Sequence, residues 1–179
     1  MKIVQQFQFA QDFWDGMVVP DYNDFVADPG DLRKAFHTAI SLFHLHDWVY
    51  IAHGAMINQN LKFNDHTGAP RPVADAKTFA NSLEIIQPNF ALIRGIANAG
   101  KHLSLSDRRP HPDAPSHASN TVSQALGWSE GAFDVGPYGG APQVMLEGAN
   151  GHLHFTQIAE NVLEMWKSLA KMHGWISLT

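Results

Sequence analysis

The chain has 179 residues, 45% of them hydrophobic and 16% charged, with no cysteine and a net charge of −5. That apolar content excludes a disordered chain, and the lack of cysteine excludes disulfides, zinc ribbons, iron–sulfur clusters and thiol catalysis. The first 31 residues hold six aspartates against Lys2, whereas the remainder balances 11 acidic with 11 basic residues. The body therefore lacks the basic face of a bulk nucleic-acid binder.

Glutamines interrupt the apolar run of MKIVQQFQFAQDFWD, which is not the pattern of a signal peptide. No stretch of about 18 apolar residues suggests a membrane span, so the expectation is a cytoplasmic protein. Residues 1–29 are rich in Asp, Pro and aromatic residues and show no helical period. They read as an acidic N-terminal segment that either docks on a basic partner or wraps its own bundle. Asp21, Asn23 and Asp24 begin like a calcium loop, but the glycine and closing glutamate of that motif are absent.

Asp31 is a candidate N-cap for a long helix ending near Asn58–Asn60. Stepping about 100° per residue, Ala35, Ala39, Leu42, Phe43, Val49, Tyr50 and His53 all fall near His46. Ile40, Trp48 and Ile51 lie on the opposite side. A helix apolar nearly all round is central in its bundle, and its surplus apolar surface suggests a homodimer.

Residues 61–72 read as a loop, and 74–87 as a shorter helix with Phe79, Leu83 and Ile86 on one face. Pro88 suits the first turn of the next helix, about 88–104, where Gly95, Ala97, Ala99 and Gly100 permit close approach of a neighbour. Residues 105–120 form a Pro-, Ser- and His-rich loop, and the glycine-rich 121–142 contains irregular strands. Gln143–Phe155 carries a hairpin signal with Asn150-Gly151 as a type I′ turn pair. Ile158, Val162, Met165, Leu169 and Met172 form the stripe of a closing helix, with Trp166 beside it and Gly174 as its left-handed stop.

The expected fold is mainly α: a bundle of about four helices with a small β-hairpin or sheet appendage before the last helix. A single domain is expected over 1–179. It comprises the acidic segment 1–29, a helical core at 30–104, the loop and β appendage at 105–155 and the closing helix at 156–174.

On the third helix, Arg94, Asn98, Lys101 and His102 form one polar stripe among apolar and small residues. A guanidinium, an amide, an ammonium and an imidazole on one face suit a phosphate, and the imidazole can move protons near neutral pH. The bland alternative is a solvated helix face. Arg108 and Arg109 follow in the loop and extend the basic cluster toward a phosphodiester.

His46 and His53 sit on the apolar face of the central helix with Tyr50 between them as a hydrogen-bond partner. They outline a pocket, or are satisfied core histidines. They stand about 10 Å apart along the axis, too far to share one ion. His44 and His46 diverge by about 200° on a helix, so they are not read as a metal pair. Asp47 lies at the edge of the His46 face, placed to pair with Arg94 or Lys101. On the hairpin, His152 and His154 share a strand face near Glu147, which makes a weak metal patch or an exposed polar face.

The run Phe90-Ala-Leu-Ile-Arg94-Gly-Ile-Ala-Asn98-Ala-Gly-Lys101-His102, with a long helix before it and a closing helix after it, resembles the signature helix of HEPN domains. The resemblance covers about residues 31–104 and 156–174. It implies a small, usually dimeric helical bundle. Many members of that family are metal-independent ribonucleases of toxin–antitoxin or phage-defence systems, and others are inactive partners of nucleotidyltransferases. RNA or a protein partner is therefore implied, and no cofactor. The resemblance also implies that His102 is the general acid or base, with Arg94 and Asn98 beside it and Lys101 on the phosphate. In the family a polar residue directly follows the arginine and the histidine comes sooner. Here Gly95 follows Arg94, and seven residues separate Arg94 from His102. The alternatives are a non-catalytic interaction module and a metal-binding bundle.

Overall fold

The computed structural model describes residues 7–65, 67–101, 113–124, 141–148 and 151–178, with the Lys101 side chain left out. These residues are mainly helical, with two small antiparallel sheets before the last helix. Asn150 of the expected Asn150-Gly151 turn pair and segment 125–140 lie outside them, as do His102, Arg108 and Arg109.

The acidic start is helical, contrary to the sequence reading. Helix α1 (Ala10–Phe13) runs through a π-helical turn (Trp14–Val18) into α2 (Val19–Ala27). Ala10, Trp14 and Val18 are buried four residues apart, and Phe25 is buried further on. The wider π turn shifts the stripe by a residue, and Pro20, which has no N–H to donate, follows it in the first turn of α2. Together they hide the period.

Helix α3 (Leu32–Asn60) is the axis of the molecule. Asp31 caps it, accepting from the backbone N–H groups of Arg33 (2.8 Å) and Lys34 (3.2 Å). Its buried residues include Ala35, Ala39, Leu42, Leu45, His46 and Val49. Its far side is covered by the chain's own start, with Trp48 stacked on Phe13 at 5.1 Å. Ile51, at 84% exposed, stands outside that cover.

The stretch expected as loop forms a ribbon, β1 (Lys62–Asn64) against β2 (Pro70–Pro72). Asp65 organises its turn by accepting from Thr67 Oγ1, Arg71 Nε, Thr67 N and Ala69 N, and these bonds, the Thr67 hydroxyl first, hold its carboxyl far below the ordinary range. Helix α4 (Ala76–Ile86) buries Phe79 and Leu83 but leaves Ile86 exposed. Helix α5 (Asn89–Lys101) packs most extensively on α3, where a Cβ at Gly100 would come 3.1 Å from the Phe36 ring.

The appendage is a three-stranded sheet in which β4 (Gln143–Gly148) lies between β3 (Thr121–Gln124) and β5 (Gly151–His154). As the central strand, β4 is buried on both faces from Gln143 to Leu146. Gly148 pairs with Gly151, so the connection is 149–150 and Gly151 (φ +122°) begins a strand rather than centring the turn. The sheet is pinned to the α2–α3 linker by Val144 N to Pro29 O (2.9 Å) and Ser123 Oγ to Gly30 O (2.7 Å).

Helix α6 (Phe155–His173) buries Ile158, Val162, Met165, Trp166 and Leu169. Trp166 Nε1 donates to the Leu42 carbonyl at 3.1 Å, locking α6 to α3. Gly174 ends the helix in the left-handed region (φ +67°). Met172 is exposed, contrary to the expected stripe, because Trp175 and Ile176 turn back into the core beyond Gly174.

Candidate functional site

Two polar clusters stand out among the described residues: Asp47 with His44 and His46 on α3, and Arg94 of α5 with Asn81 and Glu84 of α4. On α3, the Asp47 carboxylate meets two imidazoles. Its Oδ2 lies 3.0 Å from His44 Nδ1, and its Oδ1 lies 3.3 Å from His46 Nε2. His44 is three residues before Asp47, which puts them on one helix face. His46 is adjacent in sequence and reaches the second oxygen from the side.

The partners fix the protonation of these rings. A carboxylate only accepts, so His44 carries its proton on Nδ1 when it bonds Asp47. His46 Nδ1 bonds the Phe43 carbonyl, which also only accepts. His46 Nε2 therefore donates to Asp47 only when the ring is an imidazolium. Burial works against that state and holds the His46 pKa below its ordinary value. The Phe43 carbonyl and Asp47 pull it upward, and the charges of His44 and Arg94 push it down. His46 is 5% exposed and packs against the rings of Phe43 (4.6 Å) and Phe90 (6.3 Å).

Arg94 projects from α5 toward α4. Its Nη1 donates to Asn81 Oδ1 and to Glu84 Oε1, each at 2.9 Å. The pair is mostly buried, with side chains 23% and 13% exposed. Gly95 beside it has a packing reason: a Cβ there would come 2.9 Å from Pro115 Cδ. Asn98 follows one turn on, half-buried.

Several sequence expectations need correction. The Asp47–Arg94 pair does not form; Arg94 turns to Glu84 and Asn81, and Asp47 to the two histidines. Tyr50 does not partner His46; its hydroxyl pairs with the Asn58 side chain at 3.1 Å. His53 is separate from His46 and stacks on Trp175 at 6.5 Å. The His44 and His46 rings do diverge, yet a carboxylate has two oxygens and takes one ring on each.

On the hairpin, Glu147 stands in register with His152, and His154 is opposite Met145. All three polar residues are exposed. Among the described residues no three His, Asp or Glu side chains form a group able to hold a metal ion. A cleft of about 310 Å³, lined by Trp14, Tyr22, Leu163 and Lys167 among others, lies apart from the polar cluster.

Sequence reasoning missed His44, Asn81 and Glu84. The His44–Asp47 spacing of three was a usable signal for the first. The other two lie on the amphipathic α4, where a polar residue looks like any solvated position. In chemical terms the arrangement offers an oriented imidazole, a buried imidazole that resists protonation and a guanidinium fixed between helices. No known protein family, curated protein or solved structure matches the chain.

Proposed function

We propose that this chain is a HEPN-like protein that binds RNA and cleaves it without a metal, with its phosphodiester site at the α3–α5 crossing. The observation that carries the reading is the Asp47 carboxylate held between two imidazoles, with the Arg94 charge acting on one of them. Phosphodiester transesterification needs a proton acceptor, a proton donor and a cation near the phosphate. His44 and Asp47 supply acid–base groups, and Arg94 supplies the cation. The family resemblance adds His102 as the general acid or base, Lys101, Arg108 and Arg109 as phosphate contacts and a homodimer as the working state.

The test is cleavage of single-stranded RNA in excess EDTA, with wild type beside His102→Ala and both checked for equal folding. Cleavage by the wild type alone supports the reading; cleavage by neither overturns it.

A second reading has its own observation. Arg94 is already neutralised by Glu84 and half-sequestered between α4 and α5. That favours a non-catalytic interaction module in which the polar stripe is structural.

A further inference from the structure

We infer that the cleft between the chain's first helices and α6 binds a small organic cation, a primary ammonium on an apolar or aromatic body, with Asp15 as its counter-ion. The cleft shares no lining residue with the α3 cluster or the α4–α5 cluster, so its ligand is independent of RNA cleavage.

Three parts of the chain build the cleft. The π turn and α2 supply Trp14, Asp15 and Tyr22, α6 supplies Leu163 and Lys167, and the tail beyond Gly174 supplies Leu178. Trp14 and Leu163 are buried and Tyr22 is half-buried, so the core behind them fixes the walls. The Gln11 amide holds the remaining edge. Its Oε1 accepts from Ser177 N at 2.7 Å, and its Nε2 donates to Ser177 O at 3.1 Å and to Asp15 Oδ2 at 2.9 Å. One side chain thus clasps the tail and orients the carboxylate before a ligand arrives, which lowers the ordering cost of binding. Ligand pockets span about 300–1,000 Å³, and at about 310 Å³ this cleft is at the small end. That suits one ring or a short branched chain with its head group.

Charge selects the head group. Lys167 Nζ lies 2.7 Å from Glu164 Oε1, and Glu164 is not part of the lining. The Lys167 charge is therefore already answered, and its methylene stem is what the cleft sees. Asp15 differs. Its Oδ2 takes only the neutral Gln11 amide, which leaves the negative charge uncompensated and Oδ1 open to a donor. Glu160 and Glu164 add negative potential near the Tyr22 hydroxyl: burial first, and then these two carboxylates, push the phenol up. An anion is repelled here, and a neutral molecule leaves Asp15 unanswered. An ammonium pairs with Asp15 by a charge-assisted hydrogen bond and gains from the negative face of the Tyr22 ring.

The experiment titrates the full 15N-labelled chain with phenethylamine, a cation at neutral pH, and follows backbone and indole signals by NMR. Phenethyl alcohol, phenylpropionate and phenylalanine are titrated alongside, so the ring is constant and the charge varies. Phenethylamine is expected to move the Trp14 indole and the amides of Asp15, Tyr22 and Leu163, and to bind more tightly than the other three. Asp15→Asn keeps the shape and an acceptor for Gln11. It is expected to weaken phenethylamine about tenfold and to leave phenethyl alcohol unchanged. Asp24→Asn makes the same charge change at an exposed position outside the lining, so its affinity should match wild type.

Phenethyl alcohol binding as tightly as the amine overturns the selection by charge. Tighter binding of phenylalanine or phenylpropionate overturns it in favour of a site that reads a carboxylate through Lys167. Equal losses in Asp15→Asn and Asp24→Asn overturn the role of Asp15. If millimolar amine perturbs none of the cleft residues, the cleft does not bind this class of ligand, whatever the outcome of the RNA assay.

Discussion

Glu84 on α4 and Arg94 on α5 hold each other at 2.9 Å, and the same Arg94 nitrogen donates to Asn81 one turn earlier on α4. This contact sets the position of the one described cation on the polar stripe of α5. Removing one partner leaves a charge mostly out of water. Glu84→Ala is expected to destabilise the fold by about 1–3 kcal/mol, read as a lower urea midpoint with an unchanged slope. Arg94→Lys keeps the charge but loses the planar fork that serves two acceptors, so it should also lower the midpoint. An unchanged midpoint in both variants would show that α4 and α5 are held by apolar packing alone.

His46 should leave a mark on stability below neutrality. Burial keeps its folded pKa beneath the ordinary value of 6.5. Between those two values the unfolded chain binds the extra proton and the folded chain does not. The stabilisation is therefore fully present above about pH 6.5 and is lost as pH falls toward the depressed folded value. His46→Gln should flatten that part of the stability curve relative to wild type. Denaturation midpoints between pH 7 and 5 measure it, and parallel curves for the two proteins would count against a buried neutral imidazole.

The helices legible in the sequence are those whose apolar stripe keeps one period and whose ends carry a local signal. Asp31 caps α3 and Gly174 ends α6 as the sequence suggests. The hidden elements break one of those conditions. The π turn at Trp14–Val18 shifts the stripe of the first helices. The ribbon at 62–72 is exposed along nearly all its length, so it carries no alternation to read. The site was legible only as residue types. Arg94 and Asn98 could be placed on one face by spacing, but the choice of Glu84 over Asp47 as the Arg94 partner depends on how α4 and α5 cross. That crossing is a tertiary fact that no local pattern encodes.

Gly95 offers a separate test of what α5 can tolerate. It takes the place where the HEPN pattern has a polar residue, and its Cβ position is filled by Pro115 Cδ at 2.9 Å and Ala114 Cβ at 3.2 Å. Gly95→Asn should therefore push the 114–115 segment away from α5 and lower stability by about 1–3 kcal/mol. It should not create or improve RNA cleavage. A variant with undiminished stability would mean that the 114–115 segment yields without cost.

The acidic start separates two ideas that its charge alone confuses. Its apolar residues are built into the core: Phe25 is fully buried and meets Phe155 of α6 edge-on at 4.9 Å, and Trp14 is 4% exposed. Its carboxylates at Asp15, Asp24 and Asp28 face solvent. Phe25→Ala removes a large buried side chain and is expected to cost about 3–5 kcal/mol. Asp24→Asn removes a charge without touching the core, so its melting temperature should match wild type within error. Thermal denaturation of both variants decides whether the segment wraps the bundle. If Phe25→Ala melted like wild type, the start would be a loosely held arm, and its aspartates would be better read as a surface for a basic partner. If Phe25→Ala alone loses stability, the helices are part of the fold, and any partner would have to read their outer, carboxylate face.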